Sequence, residues 1–169
     1  MVNLDSPLTN EKVWKILNQI PDPDIPVVSI VELGIVRNVE NNDAEKWIVT
    51  ITPSYSGCPA MAVFREDIKT VLLESGAKEV ELKISYSPAW TTDWLSETTR
   101  EKMRKHGIAP PETNSSQSVE LFADSKRKIT CPHCGKNETH RTSQFGSTPC
   151  KALWYCDSCH QPFEYFKCY

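Results

Sequence analysis

The chain has 169 residues, 39% of them hydrophobic, and a net charge of −3, which suits a medium domain with a smaller second one better than a single large core. This charge gives no general signal for nucleic-acid binding, and no stretch approaches the roughly 20 apolar residues of a membrane span. The first five residues lack the features of an export signal, so a cytoplasmic, reducing location is expected. The seven cysteines are then expected to be metal ligands or reactive thiols rather than disulfides.

The first predicted helix begins after Thr9, a favourable N-cap residue. Four apolar residues then fall on one helical face before a proline ends the helix: Val13, Ile16, Leu17 and Ile20. The following segment, 21–26, is too rich in proline for a helix or a central strand. It predicts a stiff loop that presents the carboxylates of Asp22 and Asp24, either as an acidic surface connector or as part of a site.

The next elements predict a small sheet packed with helices. Strands at 34–39 and 46–52, joined by a turn at 41–43, form a hairpin. A helix at 60–74 follows, and residues 79–86 alternate between apolar and polar side chains, which predicts a strand with one buried face. The order strand, helix, strand favours a right-handed crossover. We therefore expect an α+β fold with a small mixed sheet.

The turn before the second helix carries Cys58. Pro59 suits the first position of a helix, so Cys58 is expected at the N-cap, where the helix dipole would bias its thiol toward thiolate. Gly57 allows the backbone to bend at this point. A thiol in this position suits a reactive or metal-handling cysteine, and an inert cysteine packed under the turn is the alternative.

Trp90 follows the third predicted strand. If that strand runs parallel to the second, Trp90 emerges at the same sheet edge as Cys58 and would form a wall of the same cleft. A packing tryptophan at the rim of the domain is the alternative. Thr91 or Thr92 is then expected to cap a helix that ends near His106.

A polar, proline-led stretch separates two predicted domains. The first domain covers 1–108, the linker covers 109–128, and a small all-β domain covers 129–169. A short strand is predicted at 119–122, without an assignment to either domain.

The second domain carries two CxxC pairs separated by 21 residues, 135–155. Each pair fits a tight knuckle with two metal-binding thiolates, and two knuckles complete the tetrahedral four-thiolate site typical of structural Zn²⁺. The predicted ligands are Cys131, Cys134, Cys156 and Cys159. So short a domain has little core, so metal binding is expected to supply much of its folding free energy. Iron in a rubredoxin-like site is the alternative.

Other interpretations of the cysteines fit less well. The first CxxC pair resembles the active site of periplasmic disulfide oxidants, and the second, followed by His160, matches a haem-attachment motif. The second pair in register and the expected reducing location argue against both. A ribbon that binds nucleic acid is also less favoured, because its aromatic residues suit a small core and its charges a solvated face. Cys150 and Cys168 remain as packed thiols, additional ligands or a second labile site.

Several motifs together resemble the metal–sulfur cluster assembly domain family, the type shared by SufT and PaaD. In the first half of the chain the motifs are 22–26, 32–36, 52–59 and 88–90. The run 145–168 is similar to the zinc ribbon of the PaaD branch, the phenylacetate-degradation D proteins encoded with phenylacetyl-CoA epoxidase. The resemblance covers nearly the whole chain and implies an assembly domain followed by a zinc ribbon.

The resemblance implies an accessory role in assembling or maturing the metal centres of the multicomponent phenylacetyl-CoA epoxidase, rather than catalysis. The implied partners are its diiron monooxygenase subunits and its iron–sulfur reductase, with neither membrane nor nucleic acid involved. The implied cofactors are a structural zinc ion and transient iron or an iron–sulfur cluster. A stable non-catalytic structural subunit of that complex is the main alternative, and a thiol enzyme is a third, although no histidine base lies near the reactive cysteine in sequence.

Carried over residue by residue, the resemblance places the reactive cysteine at Cys58 and the acidic loop at Asp22 and Asp24. Many members of the family have Asp-Pro-Glu where this chain has Asp-Pro-Asp. The side chain of Asp24 keeps the charge but reaches less far than a glutamate.

Overall fold

The computed structural model describes residues 7–43, 46–111 and 128–167. The chain divides after Trp90 into two units, each with its own sheet. The predicted α+β class is confirmed, and residues 128–167 hold strands and no helix, as predicted for the small all-β part. No helix in these ranges combines the length and apolar character needed to cross a bilayer.

The first unit is a three-stranded sheet with two helices. Its elements are α1 (Asn10–Leu17), β1 (Val36–Asp43), β2 (Lys46–Ile51), α2 (Ala60–Glu74) and β3 (Glu79–Ile84). The central strand β2 pairs antiparallel with β1 and parallel with β3. Because β2 and β3 are parallel, α2 is the crossover between them, and both strands end at the same edge of the sheet. The turn that carries Cys58 therefore begins at this edge.

Local sequence accounts for both helices. The Thr9 hydroxyl accepts the backbone N–H of Lys12 at 3.3 Å, as an N-cap should. In α2, Phe64, Ile68 and Leu72 recur every four residues and are fully buried, because this spacing places them on one helical face.

Two local predictions in this unit were wrong. The turn predicted at 41–43 is part of β1, where Asn41 pairs with Trp47 of β2. The apolar side of β3 is not a fully buried face, since Ile84 is 38% exposed and Tyr86, beyond the strand end, is 67% exposed. The reason is position, because Ile84 is the last residue of β3 and Tyr86 lies beyond it, at the end of an edge strand where fewer neighbours cover a side chain.

The second unit holds a short helical segment and a four-stranded sheet. Its elements are a 3₁₀ helix (Thr92–Trp94), α3 (Glu97–Lys105), β4 (Ile108–Ala109), β5 (Thr139–Ser143), β6 (Lys151–Cys156) and β7 (Pro162–Phe166). The strand order is β4-β7-β6-β5, with β4 parallel to β7 and the other pairs antiparallel. The expected helix cap was wrong. Thr91 caps the 3₁₀ helix, whereas the Ser96 hydroxyl accepts the N–H of Thr99 at 3.1 Å and caps α3.

The division after Trp90 lies earlier than the boundary predicted at residue 108. The difference arises because β4 pairs with β7 and Ala109 packs into the buried cluster of the second unit. Residue 109, which the prediction assigned to the linker, is thus part of a sheet. The strand predicted at 119–122 lies outside the described residues.

Candidate functional site

Cys58 is partly buried in the turn between β2 and α2. The helix begins at Ala60 with Pro59 as its N-cap, so Cys58 lies one residue before the cap and not at the cap itself, where it was expected. Gly57 has a φ of +83°, in the left-handed region that glycine adopts without strain. The backbone N–H of Ala60 and the hydroxyl of Tyr55 donate hydrogen bonds to the sulfur of Cys58. The turn therefore presents the sulfur at the start of α2, held by two donors.

The acidic loop that follows α1 contributes to the same site. Asp22 and Asp24 lie close enough to Cys58 for their charges to act on its thiol. Asp22 is buried, and its Oδ1 accepts the backbone N–H groups of Asp24 and Ile25, both at 2.8 Å. This is an Asx turn, which fixes the loop from within. The loop is thus not simply an exposed surface, because Asp22 is buried and the charges of both carboxylates act on a thiol in another element.

The environment of Cys58 disfavours its thiolate form. Burial raises the pKa of the thiol, the hydrogen bonds from Ala60 and Tyr55 lower it, and the charges of Asp22 and Asp24 raise it further. The net pKa lies above the ordinary value for cysteine. The expectation that the helix start would bias Cys58 toward thiolate was therefore wrong. Burial, together with the charges of Asp22 and Asp24, outweighs the two hydrogen bonds that favour the thiolate at this position.

Trp90 is buried against the loop that precedes β1. Its indole Nε1–H donates to the backbone carbonyl of Leu33 at 2.9 Å. Just before Leu33, the N–H of Ser29 donates to Glu32 Oε2 and the N–H of Glu32 donates to Ser29 Oγ, each at 3.0 Å. This reciprocal pair has the form of a capping box and closes one helical turn. Trp90 therefore anchors the end of the first unit to this turn, and its role as a wall of the Cys58 site stays a prediction.

The second unit brings the four predicted metal ligands together. The sulfur atoms of Cys131, Cys134, Cys156 and Cys159 all lie within 4.8 Å of one another. The Cys131–Cys159 and Cys134–Cys156 sulfur pairs are 3.7 Å and 3.6 Å apart. A tetrahedral site with metal–sulfur bonds of about 2.3 Å has sulfur–sulfur separations of about 3.8 Å, so these donors fit zinc or tetrahedral iron.

Both CxxC knuckles use the same backbone geometry. The N–H of Gly135 donates to the carbonyl of Cys131, and the N–H of His160 donates to the carbonyl of Cys156, both at 2.9 Å. Gly135 and His160 have φ values of +74° and +59°, so each knuckle closes with a left-handed residue. The N–H groups two and three residues after the first cysteine of each knuckle donate to its sulfur. These hydrogen bonds favour negative charge on the sulfur of the first cysteine in each knuckle.

The free thiols of the cluster differ in acidity. Burial raises the pKa of Cys156, but the N–H groups of Cys159 and Ser158 donate to its sulfur, and the net pKa falls to about 7. Burial and the hydrogen bonds to Cys134 and Cys156 raise the pKa of Cys159 to about 12. The second knuckle therefore pairs one thiol that ionises near neutral pH with one that favours its protonated form.

Two features were not predicted from the sequence, namely the contact of Tyr55 with Cys58 and the ion pair of Lys151 with Glu164. Tyr55 is the second hydrogen-bond donor to Cys58, and its only signal was its place in the same turn. On the ribbon, the Lys151 ammonium lies 2.7 Å from the Glu164 carboxylate, and Lys151 is buried.

Cys150 is buried with its sulfur 3.0 Å from the Thr148 hydroxyl, and it is not part of the four-thiol cluster. Cys168 lies outside the described residues.

Two family models match separate parts of the chain. The model described as "Iron-sulfur cluster assembly protein" matches residues 10–83. The model described as "PaaD zinc beta ribbon domain" matches residues 115–167, which include the four clustered cysteines. The matches and the thiol geometry together indicate a zinc site in the second unit.

Individual proteins resemble this chain either over nearly all of its length or over about half of it. An Escherichia coli K12 protein, named as a putative D subunit of 1,2-phenylacetyl-CoA epoxidase, is 44% identical over 157 residues, which cover 93% of this chain and 92% of that protein. A Porphyromonas gingivalis W83 protein named "Fe-S protein maturation auxiliary factor" is 33% identical over 91 residues, or 53% of this chain and 85% of that protein. The crystal structure of a DUF59 domain from Bacillus anthracis is 27% identical in sequence and has a TM-score of 0.49. The match covers 53% of this chain and 85% of that one. The chain therefore belongs to the PaaD family, with an iron–sulfur cluster assembly domain followed by a PaaD zinc β-ribbon.

Proposed function

We propose that this protein is an accessory factor that matures the metal centres of a multicomponent phenylacetyl-CoA epoxidase and is not itself the catalyst of ring epoxidation. The name of the Escherichia coli relative supports the link to the epoxidase, and the name of the Porphyromonas gingivalis relative supports a role in Fe–S protein maturation. The clients are the diiron monooxygenase subunit or the iron–sulfur reductase of that system. The cargo is iron or an iron–sulfur cluster.

The observation that carries this proposal is the convergence of the Cys58 thiol with the carboxylates of Asp22 and Asp24. A single thiolate with oxygen donors holds iron less tightly than four thiolates do, so its cargo can pass to a client. The four-thiol cluster is suited to permanent binding, because its four sulfur ligands fill every coordination position of a structural zinc ion. The two sites thus divide between transient and structural metal binding.

The raised pKa of Cys58 is compatible with transient binding. Near neutral pH the thiol stays mainly protonated, because burial and the charges of Asp22 and Asp24 oppose its ionisation. The positive charge of an incoming iron ion offsets the negative charges of Asp22 and Asp24. The thiol can therefore release its proton to water as the iron–sulfur bond forms. When the cargo leaves for the client, the sulfur takes a proton back.

The test is the metal content of the client proteins. The oxygenase and reductase would be purified anaerobically from cells that carry the wild-type chain, Cys58→Ser or Ser56→Ala. Ser56 is an exposed residue of the same turn and serves as the matched control. We expect Cys58→Ser alone to lower the iron or sulfide content of one client, while the variant keeps its zinc and its circular dichroism spectrum. Fully loaded clients in the Cys58→Ser cells would contradict the proposal.

A second candidate function is that of a stable, non-catalytic subunit of the same complex. It is favoured by the word "subunit" in the name of the Escherichia coli relative and by the low acidity of the Cys58 thiol. In this case the chain co-purifies with active epoxidase at fixed stoichiometry, and Cys58→Ser leaves both assembly and metal content unchanged. Assembled, active epoxidase in cells that lack the chain would exclude this function.

A further inference from the structure

The segment 91–111 shares a core with the four-thiol cluster, although neither family model extends over it. Ala109 of β4 is 1% exposed and belongs to the same buried cluster as the metal-ligand candidates Cys131 and Cys156. Ala109 also pairs with Tyr165 in the parallel ladder between β4 and β7. The strand β4 therefore depends on partners that the ribbon supplies.

Helix α3 lies against the first knuckle at its C-terminal end and is bonded to its own flanking turns within the segment 91–111. At its C-terminal end, Gly107 has a φ of +78°, and a Cβ placed there would lie 3.2 Å from Cε1 of His133, inside the first CxxC pair. Within the helix, Arg100 is 2% exposed, and its guanidinium donates to three backbone carbonyls. These are the carbonyls of Thr92, Leu95 and Pro111. Arg100 thus ties the helix to its flanking turns, and the end of the helix leaves no room for a side chain between Gly107 and His133 of the first knuckle.

We propose that the four thiolates organise α3 and β4 together with the ribbon, so that metal binding and the folding of residues 91–111 are one transition. A nine-residue helix is too short to persist alone in water, and a two-residue strand has no independent stability. Two members of the core against which they pack, Cys131 and Cys156, are ligands whose positions depend on the metal. This inference does not depend on a cargo role for Cys58.

Hydrogen exchange of the full chain, read by mass spectrometry, tests the proposal. The zinc-loaded protein would be compared with protein stripped by a chelator, with the metal content of each measured directly. We expect amides of α3 and β6 to lose protection together, by roughly tenfold or more, while α2 keeps its protection. Retained protection of α3 after β6 has lost it would overturn the proposal. Retained protection of both in zinc-free protein would overturn it as well.

Two glycines provide a matched pair of variants. Gly107 ends α3 and Gly76 ends α2, both with positive φ, but a Cβ at Gly76 meets nothing within 4 Å. We expect Gly107→Ala to weaken zinc binding, measured by competition with a colorimetric chelator, roughly fivefold to 30-fold. Gly76→Ala should leave zinc affinity unchanged, because its strain lies in the first unit. Equal zinc affinities of the two variants would contradict the coupling.

Discussion

The indole N–H of Trp90 donates to the backbone carbonyl of Leu33 at 2.9 Å, across 57 positions of the sequence. This bond joins the last residue of the first unit to the turn that Ser29 and Glu32 close. Since both partners are buried, loss of the donor would leave a carbonyl without its hydrogen bond inside the unit.

Trp90→Phe should therefore lower the free energy of unfolding of the first unit. The matched control is Trp47→Phe, because Trp47 is also buried and its Nε1 has no hydrogen-bond partner among the described residues. We expect Trp90→Phe to cost about 1–2 kcal/mol more than Trp47→Phe in urea unfolding. Equal losses would show that the bond to Leu33 adds nothing. A drop in client metal content with Trp90→Phe, at unchanged stability, would assign Trp90 to the Cys58 site.

Asp24→Asn should make Cys58 more reactive. The carboxylate of Asp24 helps to raise the pKa of Cys58, after burial as the larger cause, so its removal lowers that pKa and increases the thiolate fraction at pH 7.5. We expect alkylation of Cys58 by iodoacetamide to accelerate about twofold to tenfold, measured by mass spectrometry. Asp93→Asn, at an exposed aspartate of the second unit, is the control and should have no effect. An unchanged or slower rate in Asp24→Asn would contradict the electrostatic argument.

Glu164→Gln should weaken the ribbon. Burial opposes the ionisation of Glu164, but the hydrogen bonds from Lys151 and Ser147 outweigh it and lower its pKa. The resulting stability is present above the unfolded pKa and is lost as the pH falls through the lowered folded pKa. At pH 7 the substitution leaves a buried lysine without its charge partner, and we expect a loss of about 2–3 kcal/mol.

Zinc release during urea unfolding would report this loss selectively for the ribbon. The control is Glu97→Gln, which breaks the exposed 2.6 Å pair between Glu97 and Arg104. Because both of its members are solvated, we expect no measurable shift in the zinc-release midpoint. A Glu164→Gln midpoint equal to that of the control would contradict the prediction.

Arg100→Lys should destabilise the second unit although it keeps the charge. A lysine cannot span the three carbonyls that the guanidinium reaches, so buried acceptors lose their donors. We expect a loss of about 2–3 kcal/mol in the unfolding of the second unit, again followed by zinc release. Arg65→Lys, at an exposed position of α2, is the matched control and should behave as wild type. A midpoint within error of wild type for Arg100→Lys would contradict the anchoring role.

Where the information was local, the sequence was sufficient to predict the structure. The four-residue spacing of Phe64, Ile68 and Leu72 predicted α2 with its observed bounds. The CxxC spacing brought four distant thiols into one predicted site, because a tetrahedral metal site imposes its own geometry on the chain. Both predictions follow from short motifs, a helical spacing in one case and two CxxC pairs in the other.

The rest depended on contacts between distant residues. Two residues of β4 carry no periodic pattern, so the attachment of residues 91–111 to the second unit could not be read from them. The sequence showed that Cys58 lies near the start of a helix. Its burial and its closeness to Asp22 could not be predicted, because both arise from the packing of separate elements. The ion pair of Lys151 and Glu164 has the same origin, since its members lie on neighbouring strands.

The four-thiol cluster is unevenly shielded from solvent. Cys134 is exposed and Cys159 partly so, whereas Cys131 and Cys156 are buried in the core of the unit. An electrophile or oxidant in the surrounding medium therefore meets Cys134 before the other three ligands. Chemical damage to the ribbon is therefore expected to begin at Cys134, the exposed second cysteine of the first knuckle, while its buried partner Cys131 is shielded by the core.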